Sequence, residues 1–212
     1  MRFDLTALPT DIGYKLLAAT VVPRPIAWVT TVSPSGVVNA APYSFFNAMG
    51  SDPPTLVLGI LRDPVRGYKD TARNIIESGE FVVNLVPETL AEAMNTTCMD
   101  APPDVSEIDI ANLDTVASTA VAPPRIAASP VAFECRTLTT LITGPKQTLV
   151  VGRVLSAYVE DAYVLDAERA HVDTPRLRLI GRLHGSGWYA RTSEMFQLNR
   201  PVYATWKANN GG

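Results

Sequence analysis

Lys69 and Thr71 flank Asp70 at the start of a segment where Tyr68, Ala72, Ile75 and Ile76 recur at helical spacing and Gly79 stands where a helix terminator belongs. Free amides and the dipole of a helix start favour anions, so a phosphate could be held there, with Arg73 adding charge. Asp70 suits the N-cap better than a phosphate contact, because like charges repel. The ordinary outcome for such residues is a capped surface helix with solvated basic side chains. Trp28, in an apolar run, reads by itself as a core tryptophan. The only histidines are His171 and His184 and the only cysteines Cys98 and Cys135. None has zinc-ligand spacing, so no intrinsic metal site is expected.

Familiar nucleotide and nucleophile motifs are missing. Gly181, Gly185 and Gly187 have the wrong spacing for GxGxxG, and neither a P-loop nor a GxSxG elbow occurs. This argues against a Rossmann dehydrogenase, an NTPase and the common serine hydrolases. A net charge of −3, from 18 basic and 21 acidic residues without long runs, gives no concentrated positive surface for nucleic acid or anionic membrane. Any phosphate binding must therefore be local.

The elements that would position these residues are mostly strands. Ile26 to Val32 reads as a strand, Ser33-Pro34-Ser35-Gly36 as a turn, and Val37 to Ala40 as the returning partner. Thr55 to Leu61 after Pro53-Pro54 reads as a buried strand, and Phe81 to Val86 as another. A short helix is expected from Pro87 to about Thr97. Phe133 to Ile142 and Thr148 to Val159 are strands separated by Thr143-Gly144-Pro145-Lys146. In the first, Phe133 and Cys135 alternate with Glu134 and Arg136, as in a half-buried antiparallel strand. Residues from Arg176 to Tyr189 add strand-like stretches broken by glycines.

Between Cys98 and Pro130 the chain turns rich in Ala, Pro, Asp and Ser and reads as a long irregular excursion. At 212 residues, 47% hydrophobic and 18% charged, the chain suits one large domain over 1–212 with a substantial core. Many strands, short turns and few helices point to a mainly β barrel or sandwich. No apolar run is long enough to span a bilayer, and Met1-Arg2-Phe3-Asp4-Leu5 lacks the pattern of a secretory signal. A cytoplasmic protein with reduced thiols is expected.

Three ordered segments carry a resemblance. They are Pro23-Arg24-Pro25-Ile26-Ala27-Trp28-Val29-Thr30-Thr31; Asn39-Ala40-Ala41-Pro42-Tyr43-Ser44-Phe45-Phe46-Asn47, running on to Ser51-Asp52-Pro53-Pro54; and Lys69-Asp70-Thr71 with Asn74-Ile75 and Phe81-Val82-Val83-Asn84. In this order the chain resembles the flavin-reductase-like FMN-binding family, especially its flavoredoxin-like branch. A looser likeness continues through 133–159 and Arg182-Leu183-His184-Gly185. The resemblance implies a Greek-key split β-barrel with a few short helices, forming a homodimer with FMN near the subunit interface. It also implies electron transfer, commonly NADH- or NADPH-dependent flavin reduction.

An FMN site needs an apolar slot, polar groups at the ring edge and neutralisation of the phosphate. With the resemblance, Trp28 becomes a candidate wall of the slot. Thr30 and Thr31 point to opposite faces of one strand, so at most one hydroxyl faces the ligand directly. Asn47, Ala48 and Met49, before the turn-prone Gly50-Ser51-Asp52-Pro53, read as a loop aiming polar groups at the ring edge or ribityl chain, with Ser51 in the set. An ordinary turn is the alternative. Lys69 and Thr71 are the phosphate candidates. Arg24 could reach an anion across a dimer or serve structural pairing, and His184 is a candidate flavin or nicotinamide contact or a plain turn residue.

The sequence thus predicts an FMN oxidoreductase, an NAD(P)H-dependent flavin reductase passing electrons to an acceptor or a partner monooxygenase. No protein acid or base is assigned, because hydride transfer needs none. The alternatives are an FMN electron carrier without its own NAD(P)H activity and a barrel that binds haem or another ligand. The lack of a well-placed histidine lowers haem.

Overall fold

The computed structural model describes the chain at residues 1–63, 65 and 67–210, with side chains through 208. The strands in chain order are β1 (Arg24–Pro25), β2 (Ala27–Val32), β3 (Val38–Tyr43), β4 (Phe46–Ser51), β5 (Pro54–Leu61), β6 (Glu80–Asn84) and β7 (Thr115–Val116). They continue with β8 (Arg125–Ile126), β9 (Val131–Gly144), β10 (Gln147–Val159), β11 (Val164–Asp166), β12 (His171–Val172), β13 (Ile180–Arg182) and β14 (Tyr189–Arg191). The α-helices are α1 (Thr10–Thr20), α2 (Asp70–Ser78), α3 (Ala91–Thr96), α4 (Glu107–Ile110) and α5 (Tyr203–Asn210).

Seven strands form one antiparallel sheet in the order β3-β2-β6-β9-β10-β5-β4. Its two end strands, β3 and β4, are joined by only Ser44 and Phe45. That link reaches at most about 11 Å, whereas six flat interstrand gaps would separate the ends by roughly 29 Å. The sheet must therefore roll up, and the result is a split barrel with its seam between β3 and β4. The β4–β5 ladder extends one residue past β4, where Gly59 N–H of β5 donates to Phe45 O at 2.6 Å.

Strand β2 is buried on both faces because two layers cover it. Ala27 and Val29 point into the barrel with Leu58, Phe81, Val83 and Val150, where Ala72 and Ile75 of α2 also pack. Trp28 points outward into a second cluster with Val86, Met94, Ile108 and Ile126. At Gly152 an added Cβ would strike the Phe81 ring, so close packing of β10 on that ring requires glycine.

Several expectations are corrected. Helix α2 begins at Asp70 with Lys69 as its N-cap residue, and no side chain caps it. Asp70 instead holds Arg73 at 2.7 Å, one turn on. The helix ends as expected at Gly79, left-handed at φ 73°. Ile76 lies on the solvent side, and Tyr68 precedes the helix. The 46–51 segment is the edge strand β4, paired with β5, and not a free loop.

The 98–130 excursion contains α4 and the β7–β8 pair and is a roof over β2 and β6. Thr30 donates to Pro124 O at 2.5 Å, and Ile126 N–H donates to Asn84 Oδ1 at 2.8 Å. The same roof overrides the expected alternation in β9. Glu134 is buried because the amides of Thr119 and Ala120 bond to its carboxylate. Among the described residues, no helix is long and apolar enough to cross a membrane.

Candidate functional site

The end of β3, the start of α2 and the segment after α3 converge on one cavity. Its volume is about 110 Å³, with Asn39, Tyr43, Lys69, Thr71, Cys98 and Glu107 among its lining residues. Helix α2 sits here because the β2–β3 hairpin grips it twice. Asn39 Nδ2 donates to Thr71 Oγ1 at 2.9 Å, and Asn74 Nδ2 donates to Thr31 Oγ1 at 3.0 Å. The uncapped first turn of α2 therefore lies against the cavity.

The charges nearby are mixed. Lys69 supplies a partly exposed ammonium and meets Asp100 loosely, at 3.5 Å. Asp70 is matched by Arg73. Glu107 is only 6% exposed, and burial pushes its carboxyl above the usual carboxylate range. The Glu107 Oε2 atom accepts from Ala40 N–H at 3.1 Å, which anchors α4 to β3. Burial also pushes up the Tyr43 phenol. Asp63, Asp70, Asp100 and Glu107 line the cavity with Lys69, and the feature that can receive a small anion there is the free amide end of α2 with the Lys69 ammonium beside it.

The structure brings Lys69 and Thr71 together but separates the other expected site residues from them. Trp28 has no exposed surface, and its indole N–H donates to Thr97 Oγ1 at 2.9 Å. It stands behind the cavity, bonded to Thr97 on the lining, and packs in the core of the single chain. Thr30 and Thr31 do face opposite ways, yet both are fully buried and bonded to protein, Thr30 to the roof and Thr31 to α2. Neither hydroxyl is exposed in the single chain.

Asn47, Ala48 and Met49 are exposed on edge strand β4, and Ser51 pairs with Pro54 at its end. The Asn47 side chain turns back to accept from Ala48 N–H at 2.8 Å. Asn47 and Ala48 line an apolar groove of about 400 Å³ with Phe46, Leu56 and Phe133. Asn47 and Met49 line another of about 440 Å³ with Leu17, Val21 and Phe45. The chain from Ala41 to Asn47 runs from the cavity at α2 to these grooves.

Arg24 is structural. It donates to Ala18 O, Val21 O, Leu183 O and Ser44 Oγ at 2.6, 2.8, 2.8 and 3.3 Å, clamping α1 and the β13 end to the seam. His184 lies beside the Trp188 ring near Gly185. Sequence reasoning missed Asn39, Tyr43 and Glu107 as site residues. Asn39 and Tyr43 stand within the motif already quoted, whereas Glu107 lies in the excursion and carries no local signal.

A family model described as flavin reductase like domain matches residues 19–172. A relative from Deinococcus radiodurans is 44% identical over 97% of this chain and 92% of its own. Among solved structures, nitrilotriacetate monooxygenase component B from Bacillus cereus is similar at TM-score 0.87 and 33% identity, covering 93% of this chain and 98% of that one. The 2-nitrobenzoate 2-nitroreductase of Pseudomonas fluorescens is similar at TM-score 0.86 and 34% identity, covering 96% and 98%.

Proposed function

This chain belongs to the flavin reductase like domain family, and from that premise we propose that it is an NAD(P)H-dependent FMN oxidoreductase. The observation that carries the reading is the free amide end of α2 opening onto a cavity with Lys69 at its side. At about 110 Å³ the cavity suits a phosphate, while whole-ligand pockets run about 300–1,000 Å³. Lys69, the amides of Asp70 and Thr71, and Asn39 would hold the phosphate. Residues 41–47, with Ala48, Met49 and Ser51 on β4, would hold the ribityl chain and ring.

Bound FMN would supply two-electron chemistry, accepting a hydride from NADH or NADPH and yielding electrons to an acceptor. The protein's own work is to bind and exclude water. Thr71 and Asn39 fix the start of α2, Trp28 and Thr97 back the cavity wall, and Glu107 locks the roof to β3. No side chain is required to carry a proton in hydride transfer.

A partner monooxygenase as the electron acceptor is part of the proposal. It is favoured by the likeness to a protein described as a monooxygenase component B. So is a homodimer. Leu138, Leu141 and Ile142 on β9 and Met49 on β4 are exposed apolar groups of the kind partners cover. The test is an anaerobic absorbance titration with FMN, followed by NADH or NADPH. Saturable binding and bleaching of the bound flavin are expected. Binding without bleaching by either nicotinamide would make the protein an electron carrier, and no binding at all would sink the reading.

A further inference from the structure

The segment after β14 is out of keeping with a free monomer. Every described side chain from Arg191 to residue 208 is exposed. Met195, Phe196, Leu198, Val202, Tyr203 and Trp206 lie 55% to 87% open. A run this apolar gains free energy by leaving water. Thr192 gives the segment a tie to the body, donating from Oγ1 to Leu179 O at 3.0 Å.

We infer that residues 193–208 form an exchanged arm that lies on the apolar surface beside β4 of a second copy of this chain. The inference rests on the homodimer reading above and says what holds the two copies together. Three features single out a second copy. The arm leaves from the rim of an apolar groove, because Ala190, Arg191 and Thr192 line the same groove as Phe46 and Phe133. Ten extended residues before α5 reach roughly 33 Å, enough to cross onto a neighbour.

The second feature is the seat. Strand β4 is an end strand of its sheet, so one of its edges carries backbone groups without a neighbouring strand. Next to it lies the groove of Leu17, Val21, Phe45, Phe46, Met49 and Val57. The arm's Phe196 and Leu198 alternate with Gln197 and Asn199, the period of a strand with one apolar face. An arm laid along β4 could both pair its edge and drop alternate side chains into the groove.

Third, the area is right. Three aromatics bury about 150–250 Å² each, so two arms bury about 900–1,500 Å² before the aliphatic residues are added. Stable interfaces bury about 1,200–2,000 Å². Because each copy gives one arm and offers one seat, a two-fold pair closes and needs no further copies.

The test uses the full chain. Substituting Phe196→Ser and Leu198→Ser together, both at exposed positions, should weaken self-association in sedimentation equilibrium by at least about tenfold. In a Cys98→Ser background, chains carrying Phe196→Cys mixed with chains carrying Met49→Cys should form a disulfide-linked species of twice the chain mass. A dimer whose association the serines leave unchanged would overturn the arm and spare the homodimer reading. A wild-type chain that stays monomeric at all concentrations would overturn both. Cross-linking only within a single chain, when both cysteines are placed on it, would show the arm folding back on its own body. An FMN titration of the wild-type chain and of the Phe196→Ser/Leu198→Ser variant, whose changes lie outside the proposed flavin site, reports the flavin reading separately.

Discussion

Thr31 and Asn39 face each other across the β2–β3 hairpin, and each reaches the same helix three residues apart, Thr31 at Asn74 and Asn39 at Thr71. Residues three apart share a helix face, so two cross-strand neighbours dock α2 in one orientation. That orientation is what turns the uncapped end of α2 to the cavity.

Asn39 therefore couples stability to binding. Asn39→Ala removes a donor from a buried pair and should cost about 1–2 kcal/mol of stability. It should also weaken FMN by roughly tenfold, by loosening the first turn of α2. Thermal melts and a flavin titration measure the two effects. A normal FMN affinity in a destabilised variant would remove Asn39 from the site and leave it a packing residue.

Lys69 meets Asp100 at 3.5 Å on a largely exposed pair, so the contact itself contributes little to stability. A phosphate at this position would compete with Asp100 for the ammonium. Asp100→Asn should tighten FMN by a few fold, and Lys69→Ala should weaken it by about ten- to a hundredfold, the loss of one charge-assisted hydrogen bond. Riboflavin, which has no phosphate, is the control. If Lys69→Ala weakens riboflavin as much as FMN, the phosphate is held elsewhere.

Trp28 separates a core role from a ligand role. Trp28→Phe deletes the bond to Thr97 and leaves a void, at a cost of roughly 2–3 kcal/mol. Its FMN affinity should change by no more than about threefold, within the scatter of small relayed effects. A large loss of FMN binding with an unshifted melting temperature would make Trp28 a wall of the flavin site after all.

The fold was the more legible part of the chain. Short-range signals such as the Ser33–Gly36 turn, the Gly79 stop and the apolar run to Leu61 need only neighbouring residues, and they appear where local chemistry puts them. The surroundings of Trp28 and Glu134 carry no local signal because they come from residues 97 and 119–120, on a segment whose composition suggests only a loop. Asn47 was placed in a loop because the cluster of Gly50, Ser51, Asp52 and Pro53 looks like a turn. The turn is tighter than that, and β4 runs to Ser51 before it. Local sequence reports which residues can bind an anion, and long-range packing decides which of them stay exposed.

The two thiols should report the cavity. Cys135 has no exposed surface, and burial pushes its thiol up to about 12, so it should be silent to thiol reagents until the chain unfolds. Cys98 is at the surface, but its Sγ turns onto Met94 O at 3.8 Å and burial raises its thiol too. One thiol should therefore react in the native protein, faster as pH rises, and two in denaturant. Because Cys98 lines the anion cavity, saturating FMN should slow the reaction by several fold. Equal rates with and without FMN would place the ligand away from this cavity.

Glu107 gives the fold a pH dependence whose sign is fixed by its surroundings. Burial raises its carboxyl above the ordinary 4.5, and the nearby Asp70 carboxylate adds in the same direction. Between 4.5 and that higher value the native chain holds more of this proton than the unfolded chain does. Stability from this group is therefore fully present below about 4.5 and is lost as pH rises through the folded value. Glu107→Gln keeps an oxygen to accept from Ala40 N–H but has no proton to lose. The variant should match wild type most closely near pH 4.5 and gain on it as the pH is raised, the gain levelling off once the pH passes the folded value. Melting temperatures of both proteins across pH 4.5–8 measure it. A constant offset between the two curves would mean that the Glu107 carboxyl titrates alike in the folded and unfolded chain, and that its burial does not perturb it.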